Sequence, residues 1–388
     1  HNNNNHKWNF IFFIIILFSS SFYLALYCVN NRPSVHQTKN QKIKQRQTQS
    51  NERWNQNINI PPEKKHAYEE FPSLEKNIIE LKKMIALNQT AHTDIVQISL
   101  IAERHSGSTW FTAVLEKAFP DIKVVPHLCR FKHWFQDQLH TGLMNGSRTI
   151  SKVTKEHPQV RGCFHPENVI VINLWRNAYD WLWAMYEKPW HAGSHSKISF
   201  EQFVKKEWSV DQKHQEYLKK SKNKQITQCN NEEACIQRYL PGELDFCCNL
   251  FEFIYETPLN DPDVSEAHYD GPYSLREAKI KDYLAVKKWS PHFHTLQYES
   301  LVIGGYEGLF RLFHAISTFY NIRHNPHAYK NLVQADKIAS FLQKSLFLQN
   351  GNSCRPKSCS ALKAIESRYN TDVETRLGYN RNISFATV

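Results

Sequence analysis

The chain has 388 residues, of which 41% are hydrophobic and 22% charged, enough for one large or two ordinary domains with a substantial core. Its formal net charge is +11 at pH 7, which favours anionic ligands. A nucleic-acid partner is disfavoured, because the long basic block lies in a low-complexity stretch directly after a hydrophobic segment.

Residues 10–29 predict one transmembrane helix. They read FIFFIIILFSSSFYLALYCV, and about twenty uncharged, mostly apolar residues are long enough to span a bilayer. A secretory signal is the alternative, but its apolar region is usually about 7–15 residues long and precedes a small-x-small cleavage site that is not evident here. We interpret residues 1–9 as an N-terminal tail, expected to be truncated, and the membrane as a partner.

Residues 30–94 predict a stem. The part up to about Pro62 is rich in Asn, Gln and Lys and lacks apolar periodicity, which is typical of a disordered segment. Leu74 and Ile78 then begin an apolar repeat at helical spacing behind Ser73, so one amphipathic helix is expected to close the stem.

Two signals disagree about the side of the membrane. Basic residues cluster after the span rather than before it, and the positive-inside rule would therefore place the body in the cytosol. N-glycosylation sequons and an even set of cysteines after the span favour an oxidising lumen instead. The sequons begin at Asn88, Asn145 and Asn382. We expect the luminal orientation, with Cys354 and Cys359 as a disulfide pair.

Residues 95–388 predict a single α/β domain. Short apolar runs alternate with helical patterns, which is typical of a parallel sheet with helices on both faces. Strands are expected at Ile95–Ala102, Ile122–Pro126, Val169–Leu174 and His294–Gln297. The polar stretch 210–275 is interpreted as an insertion over the site or, alternatively, as a disulfide-stapled surface excursion.

The first candidate site is the loop after the first predicted strand, which reads ERHSGSTW from Glu103 to Trp110. A tight turn with one Gly, followed by a helix that starts with Ser and Thr, directs backbone N–H groups and the positive end of the helix dipole to one point. This pattern predicts a phosphate cradle, with an ordinary capped strand–turn–helix as the alternative. A Walker A kinase loop is excluded, because that motif needs a second Gly followed by Lys.

The second candidate site follows the strand Val169–Leu174, where Arg176 stands at the carboxyl end. Open α/β sheets bind ligands at this edge, and a guanidinium can hold a phosphate with two hydrogen bonds. An ion pair with a neighbour such as Asp180 is the alternative role of Arg176.

Four blocks in order along the chain resemble the sulfotransferases that use 3′-phosphoadenosine-5′-phosphosulfate (PAPS). They are similar to the family's 5′-phosphosulfate loop, its 3′-phosphate strand and turn, its late Tyr-Glu-x-Leu element, and the closing Leu-Gly-Tyr of luminal members. The blocks are Arg104–Trp110, Val169–Asp180, Tyr283–Leu301 and Arg376–Tyr379. The resemblance implies a P-loop-NTPase-like central parallel sheet flanked by helices, in a single-pass Golgi membrane protein with a luminal catalytic domain. It also implies transfer of a sulfuryl group from PAPS, the co-substrate, to a hydroxyl of a glycan or protein, with no metal.

The resemblance assigns donor-binding roles along the loop and to the arginine after the third predicted strand. These residues are Arg104, His105, Ser106, Gly107, Ser108, Thr109, Trp110 and Arg176. Arg104 or His105 is expected to supply positive charge at the leaving oxygen, and a protonated His105 would act as a general acid. The family usually has Lys or Arg in place of His105, and commonly Ser in place of Ala184.

The general base is expected between the two anion-binding blocks. His133 is preferred, because it follows Lys132 much as the family's catalytic histidine follows a basic residue. His127 is the second choice, and Glu103 is the carboxylate alternative. Because His105 and Ala184 depart from the family pattern, the alternative function is a non-catalytic nucleotide- or glycan-binding pseudoenzyme, and a structural membrane-tethered protein comes third.

Overall fold

The computed structural model describes residues 73–87, 94–144, 160–189, 195–208, 269–333, 363–365 and 367–379, all within one compact unit that spans Ile60–Val388. The predicted span at 10–29, the stem up to residue 72, the three sequons and the predicted Cys354–Cys359 pair lie outside these ranges. Within them, no helix combines the length and the apolar character needed to cross a membrane.

A four-stranded parallel sheet forms the centre of the domain, in the order β2-β1-β3-β4. The strands are β1 Gln97–Ala102, β2 Lys123–Val125, β3 Val169–Trp175 and β4 Phe293–Gln297. The four predicted strands are thus confirmed, with small differences at their ends. The two central strands, β1 and β3, are buried at every position, which explains why they read as continuous apolar runs rather than as alternating ones.

Helices flank this sheet. Their bounds are α1 Ser73–Ala86, α2 Ser108–Ala118, α3 Asp137–Met144, α4 Arg161–Phe164, α5 Ala178–Glu187, α6 Phe200–Lys205, α7 Pro272–Ala285, α8 Tyr298–Tyr320 and α9 Thr371–Thr375. The expected α/β class is confirmed by this alternation of strands and helices.

Helix α1 belongs to the folded domain. Leu74, Ile78 and Leu81 are buried in the main hydrophobic core, together with side chains of the sheet and of α8. A side chain at Gly304 of α8 would collide with Leu74, so the glycine allows the two helices to approach closely. The predicted boundary between stem and domain at residue 94 is therefore corrected, because the apolar face of α1 is buried against the domain rather than exposed on a stem.

A disulfide joins Cys129 to Cys163, with a Cα–Cα distance of 4.7 Å. The sequence did not single out this pair. Both cysteines are fully buried in a small second core with Phe131 and Trp134. The bond links the loop after β2 to α4, the helix that leads into β3.

Candidate active site

A cavity of about 790 Å³ opens where the parallel strands end. Its lining comes from the segments directly after β1, β2 and β3, and from Tyr298, the first residue after β4. The carboxyl edge of an open α/β sheet is where such folds bind ligands. Of the residues assigned from the sequence, the cavity brings together Arg104, His105, Gly107, Ser108, Thr109, Trp110, His133 and Arg176.

Ser106 and Gly107 give the loop after β1 its shape. The Ser106 hydroxyl donates a hydrogen bond to the backbone oxygen of Glu103, so this side chain supports the turn and is not among the described residues that line the cavity. Its predicted contact with the donor stays a prediction. Gly107 has a φ of 79°, and any side chain there would collide with the ring of Tyr298. The loop therefore requires glycine both for its backbone conformation and for the approach of this ring.

The N-terminus of α2 is open. Gly107 is the N-cap residue and supplies no side-chain acceptor. The first turn of a helix has backbone N–H groups without intrahelical partners, and here those groups belong to Ser108 and its successors. Together with the helix dipole they have the arrangement expected of the predicted phosphate cradle, and phosphate binding itself stays a prediction.

Arg176 connects the two anion-binding segments. One of its Nη atoms donates to the backbone oxygen of His105 at 3.1 Å, and its guanidinium lies 5.6 Å from the centre of the Tyr298 ring. The next residue, Asn177, caps α5 by accepting a hydrogen bond from the backbone N–H of Asp180 at 2.9 Å. Arg176 is thus held at the cavity wall while Asn177 closes the helix behind it.

His133 is in the form that a general base needs. It is buried at the cavity, and its Nδ1 donates to the backbone oxygen of Ala102, the last residue of β1, at 2.7 Å. That bond leaves the ring lone pair on Nε2. Burial, with the cations of Lys132 and Arg104 nearby, holds the pKa of His133 well below its usual value, so the ring is neutral at pH 7 and able to accept a proton.

His105 differs from its expected protonation state. Its Nε2 donates to the backbone oxygen of Lys188 at 2.9 Å. Burial, with the cations of Arg104 and Arg176, lowers the pKa of His105 to about 4. In this environment the ring is neutral at pH 7 and Arg104 carries the positive charge of the loop, while a protonated His105 beside a bound phosphate stays a prediction.

The two alternative bases lie in different environments. His127 lines the cavity, with its ring edge-on to Phe131 at 5.5 Å between centres. Glu103 is buried, lies 3.6 Å from the Nζ of Lys279, and is not among the described residues that line the cavity. Glu103 is therefore poorly placed to act on a bound substrate, whereas His127 remains near it.

Sequence reasoning assigned no site role to Tyr298, Lys132 or Phe131, which also line the cavity. Tyr298 could have been found, because it follows an apolar strand directly, as Arg176 does. Lys132 is a third cation beside Arg104 and Arg176, while Glu116 is the one carboxylate among the described residues that line the cavity. The lining is therefore positive at pH 7, which suits an anionic ligand.

Comparison with protein-family models, with curated proteins and with solved structures finds no match to this chain. In the described ranges, no three His, Cys, Asp or Glu side chains are grouped to hold a metal ion. The residues themselves define the class of protein as an α/β domain with a positively charged cavity at the edge of a parallel sheet and a neutral histidine within it.

Proposed function

We propose that this chain is a PAPS-dependent sulfotransferase, which transfers a sulfuryl group to a hydroxyl of a glycan or protein. One observation carries the proposal: the open N-terminus of α2, the guanidinium of Arg176 and the neutral ring of His133 border a single cavity. Two anion-binding groups at separate points match a donor with phosphate at two positions. The parallel sheet with the loop directly after β1 supports the P-loop-NTPase-like arrangement.

The donor would bind across the two segments. The cradle at Ser108 and Thr109 would hold the 5′-phosphosulfate, and Arg176 the 3′-phosphate. Trp110 lies edge-on to Tyr298 at 6.0 Å between ring centres, and the two rings would offer apolar surface for the adenine ring of the donor.

The reaction needs a base, positive charge and no redox change. His133 would take the proton from the acceptor hydroxyl on Nε2 as the acceptor oxygen forms a bond to sulfur. The bond from sulfur to the 5′-phosphate oxygen breaks, and adenosine 3′,5′-bisphosphate leaves with the electron pair. Arg104 and Lys132 would stabilise the negative charge that develops on that oxygen.

The proposed location is the Golgi lumen, with a single-pass anchor at residues 10–29. The Cys129–Cys163 disulfide supports an oxidising compartment, because such bonds are rare in reducing ones. The acceptor hydroxyl and the membrane are then the partners proposed for the chain.

A pseudoenzyme that binds nucleotide without turnover is the second candidate, and the neutral His105 favours it. The family usually places a permanent cation at that position, whereas burial and neighbouring cations lower the pKa of His105 to about 4. Ala184 on α5 likewise lacks the hydroxyl common in the family.

Two measurements on the full chain separate these candidates. Calorimetry with adenosine 3′,5′-bisphosphate tests the donor site, and transfer of labelled sulfate from PAPS to a panel of glycans and tyrosine peptides tests the reaction. Binding with transfer supports the sulfotransferase, and binding without transfer to any acceptor favours the pseudoenzyme. Absence of binding would overturn both. Arg323→Ala, at an arginine whose side chain is 73% exposed, is the control for loss of positive charge.

A further inference from the structure

One peptide group in the site is held from both sides. It joins Arg176 to Asn177, at the turn that presents the Arg176 side chain to the cavity. Arg276 donates from Nη2 to the backbone oxygen of Arg176 at 2.7 Å. Glu299 accepts from the backbone N–H of Asn177 at 2.9 Å and from its Nδ2 at 2.6 Å. The orientation of this peptide therefore depends on two charged side chains that are distant in sequence.

Arg276 and Glu299, the two side chains that bind this peptide group, are both fully buried. The guanidinium of Arg276 lies 5.4 Å from the ring centre of Trp175 and 5.1 Å from that of Trp181. Taking charges out of water is costly, and apolar packing of the same volume is often as stable. A buried cation and a buried carboxylate on one peptide group are thus better explained by orientation than by stability.

Residues of the segment 371–379, near the C-terminus, form hydrogen bonds with both Arg276 and Glu299. Glu374 of α9 binds Arg276 with two hydrogen bonds, at 2.7 and 2.9 Å. The Tyr379 hydroxyl donates to the second carboxylate oxygen of Glu299 at 2.8 Å. Burial and the Glu299 carboxylate raise the pKa of Tyr379 well above its usual value, so the hydroxyl keeps its proton. Two chains of contact therefore run from residues 371–379 to the same peptide.

We propose that the segment Thr371–Tyr379 positions Arg176 for the 3′-phosphate of the donor, through Glu374 and Arg276 on one side and Tyr379 and Glu299 on the other. The inference rests on the proposed function for the identity of the ligand. Glu374 and Tyr379 are positioning residues, because they act through Arg276 and Glu299 rather than on the donor.

A double-mutant cycle tests this coupling. Tyr379→Phe removes one hydroxyl, and we expect it to weaken binding of adenosine 3′,5′-bisphosphate about threefold to tenfold, the usual effect of one hydrogen bond. Adenosine 5′-monophosphate lacks the 3′-phosphate, so its affinity should not change. In an Arg176→Ala background, Tyr379→Phe should have no further effect, because the group it positions is gone.

Two further variants keep the result interpretable. Tyr320→Phe removes another hydroxyl of a buried tyrosine, one that is hydrogen-bonded to His294 at 2.8 Å, and should leave both nucleotide affinities unchanged. Glu374→Gln keeps the shape of the side chain while removing its charge, and should repeat the Tyr379→Phe pattern. Equal losses for both nucleotides, or a Tyr379→Phe effect that persists without Arg176, would overturn the positioning role and leave the proposed function intact. Wild-type protein that binds the two nucleotides equally would overturn the proposed donor, and this inference with it.

Discussion

The two helices that begin at the cavity differ in whether a side chain caps the N-terminus. Helix α2 starts at Gly107, which supplies no side-chain cap, so its first amides can bind an anion. Helix α5 starts at Asn177, whose side chain accepts from the amide of Asp180. In the proposed site, the first segment therefore offers main-chain N–H groups to a phosphate, whereas the second offers the Arg176 side chain.

The two segments also take their shape from different parts of the chain. The turn of the first loop is set by its own residues, through the Ser106 contact with Glu103 and the positive φ of Gly107, although Arg176 and Tyr298 also contact this loop. The second turn is held by Arg276 and Glu299, which lie far along the sequence. Side-chain substitutions should therefore affect binding less at the first segment than at the second.

The largest effect is expected outside both segments, at the proposed general base. His133→Ala should lower kcat by roughly 10²–10⁴, because the acceptor hydroxyl loses its base, while binding of adenosine bisphosphate stays nearly unchanged. Steady-state transfer and calorimetry measure the two quantities. If His127→Ala abolishes turnover while His133→Ala does not, the base is His127 and both anion-binding segments keep their roles.

The next effect concerns the disulfide that links the loop after β2 to α4, outside both segments. Replacing Cys129 and Cys163 by Ala should lower the free energy of unfolding by about 2–4 kcal/mol, because the unfolded chain is no longer constrained. Urea denaturation measures this change. Mass mapping of the oxidised protein should recover the Cys129–Cys163 peptide; both cysteines as free thiols would contradict the bond and weaken the luminal assignment.

Arg176→Ala tests whether a side chain binds the phosphate at the second segment. It should weaken adenosine bisphosphate binding by about 1.5–3 kcal/mol, the usual range for a hydrogen bond to a charged group. Arg323→Ala is the matched control and should have no effect. Unchanged affinity in Arg176→Ala would remove this residue from the site.

Thr109→Ala tests whether the main chain, rather than a side chain, binds the phosphate at the first segment. Because the backbone can hold the phosphate, loss of this hydroxyl should cost only about 0.5–1.5 kcal/mol. In the proposed site the hydroxyl would contact the donor in both ground and transition states, so donor affinity and kcat/KM should fall together. A loss as large as that of Arg176→Ala would break the proposed difference between the segments.

The smallest effect is expected for the pH dependence of kcat/KM above pH 6.5, the usual pKa of histidine. The pKa of His133 lies well below 6.5, so kcat/KM should stay level as the pH falls towards 6.5 and decline only at lower values. A break in the rate profile above pH 6.5 would point to another group as the base.

The stability of the protein should also depend on pH through His105. The unfolded chain binds a proton at His105 near pH 6.5, whereas the folded protein binds it only near pH 4. The free energy of unfolding should therefore decrease as the pH is lowered from 6.5 to 4.

Local patterns were sufficient for the sheet and for the first segment. Buried parallel strands must be continuous apolar runs, so the positions of β1 and β3 could be read directly from the sequence. The order of turn, Gly107 and a helix starting at Ser108 likewise predicted the cradle, because its geometry depends on neighbouring residues. Arg176, which directly follows β3, and His133, which was chosen for its position after Lys132, both line the cavity, while their roles in binding and catalysis stay predictions.

Tertiary structure decided the features that depend on residues distant in sequence. The pairing of Cys129 with Cys163, the packing of α1 in the core and the ring of Tyr298 against Gly107 each join segments that no local pattern connects. The lowered pKa of His105 is a feature of the same kind, since it depends on burial and on cations from other segments. Sequence alone thus determined where the strands end and which side chains follow them, and the fold determined how those side chains are held and charged.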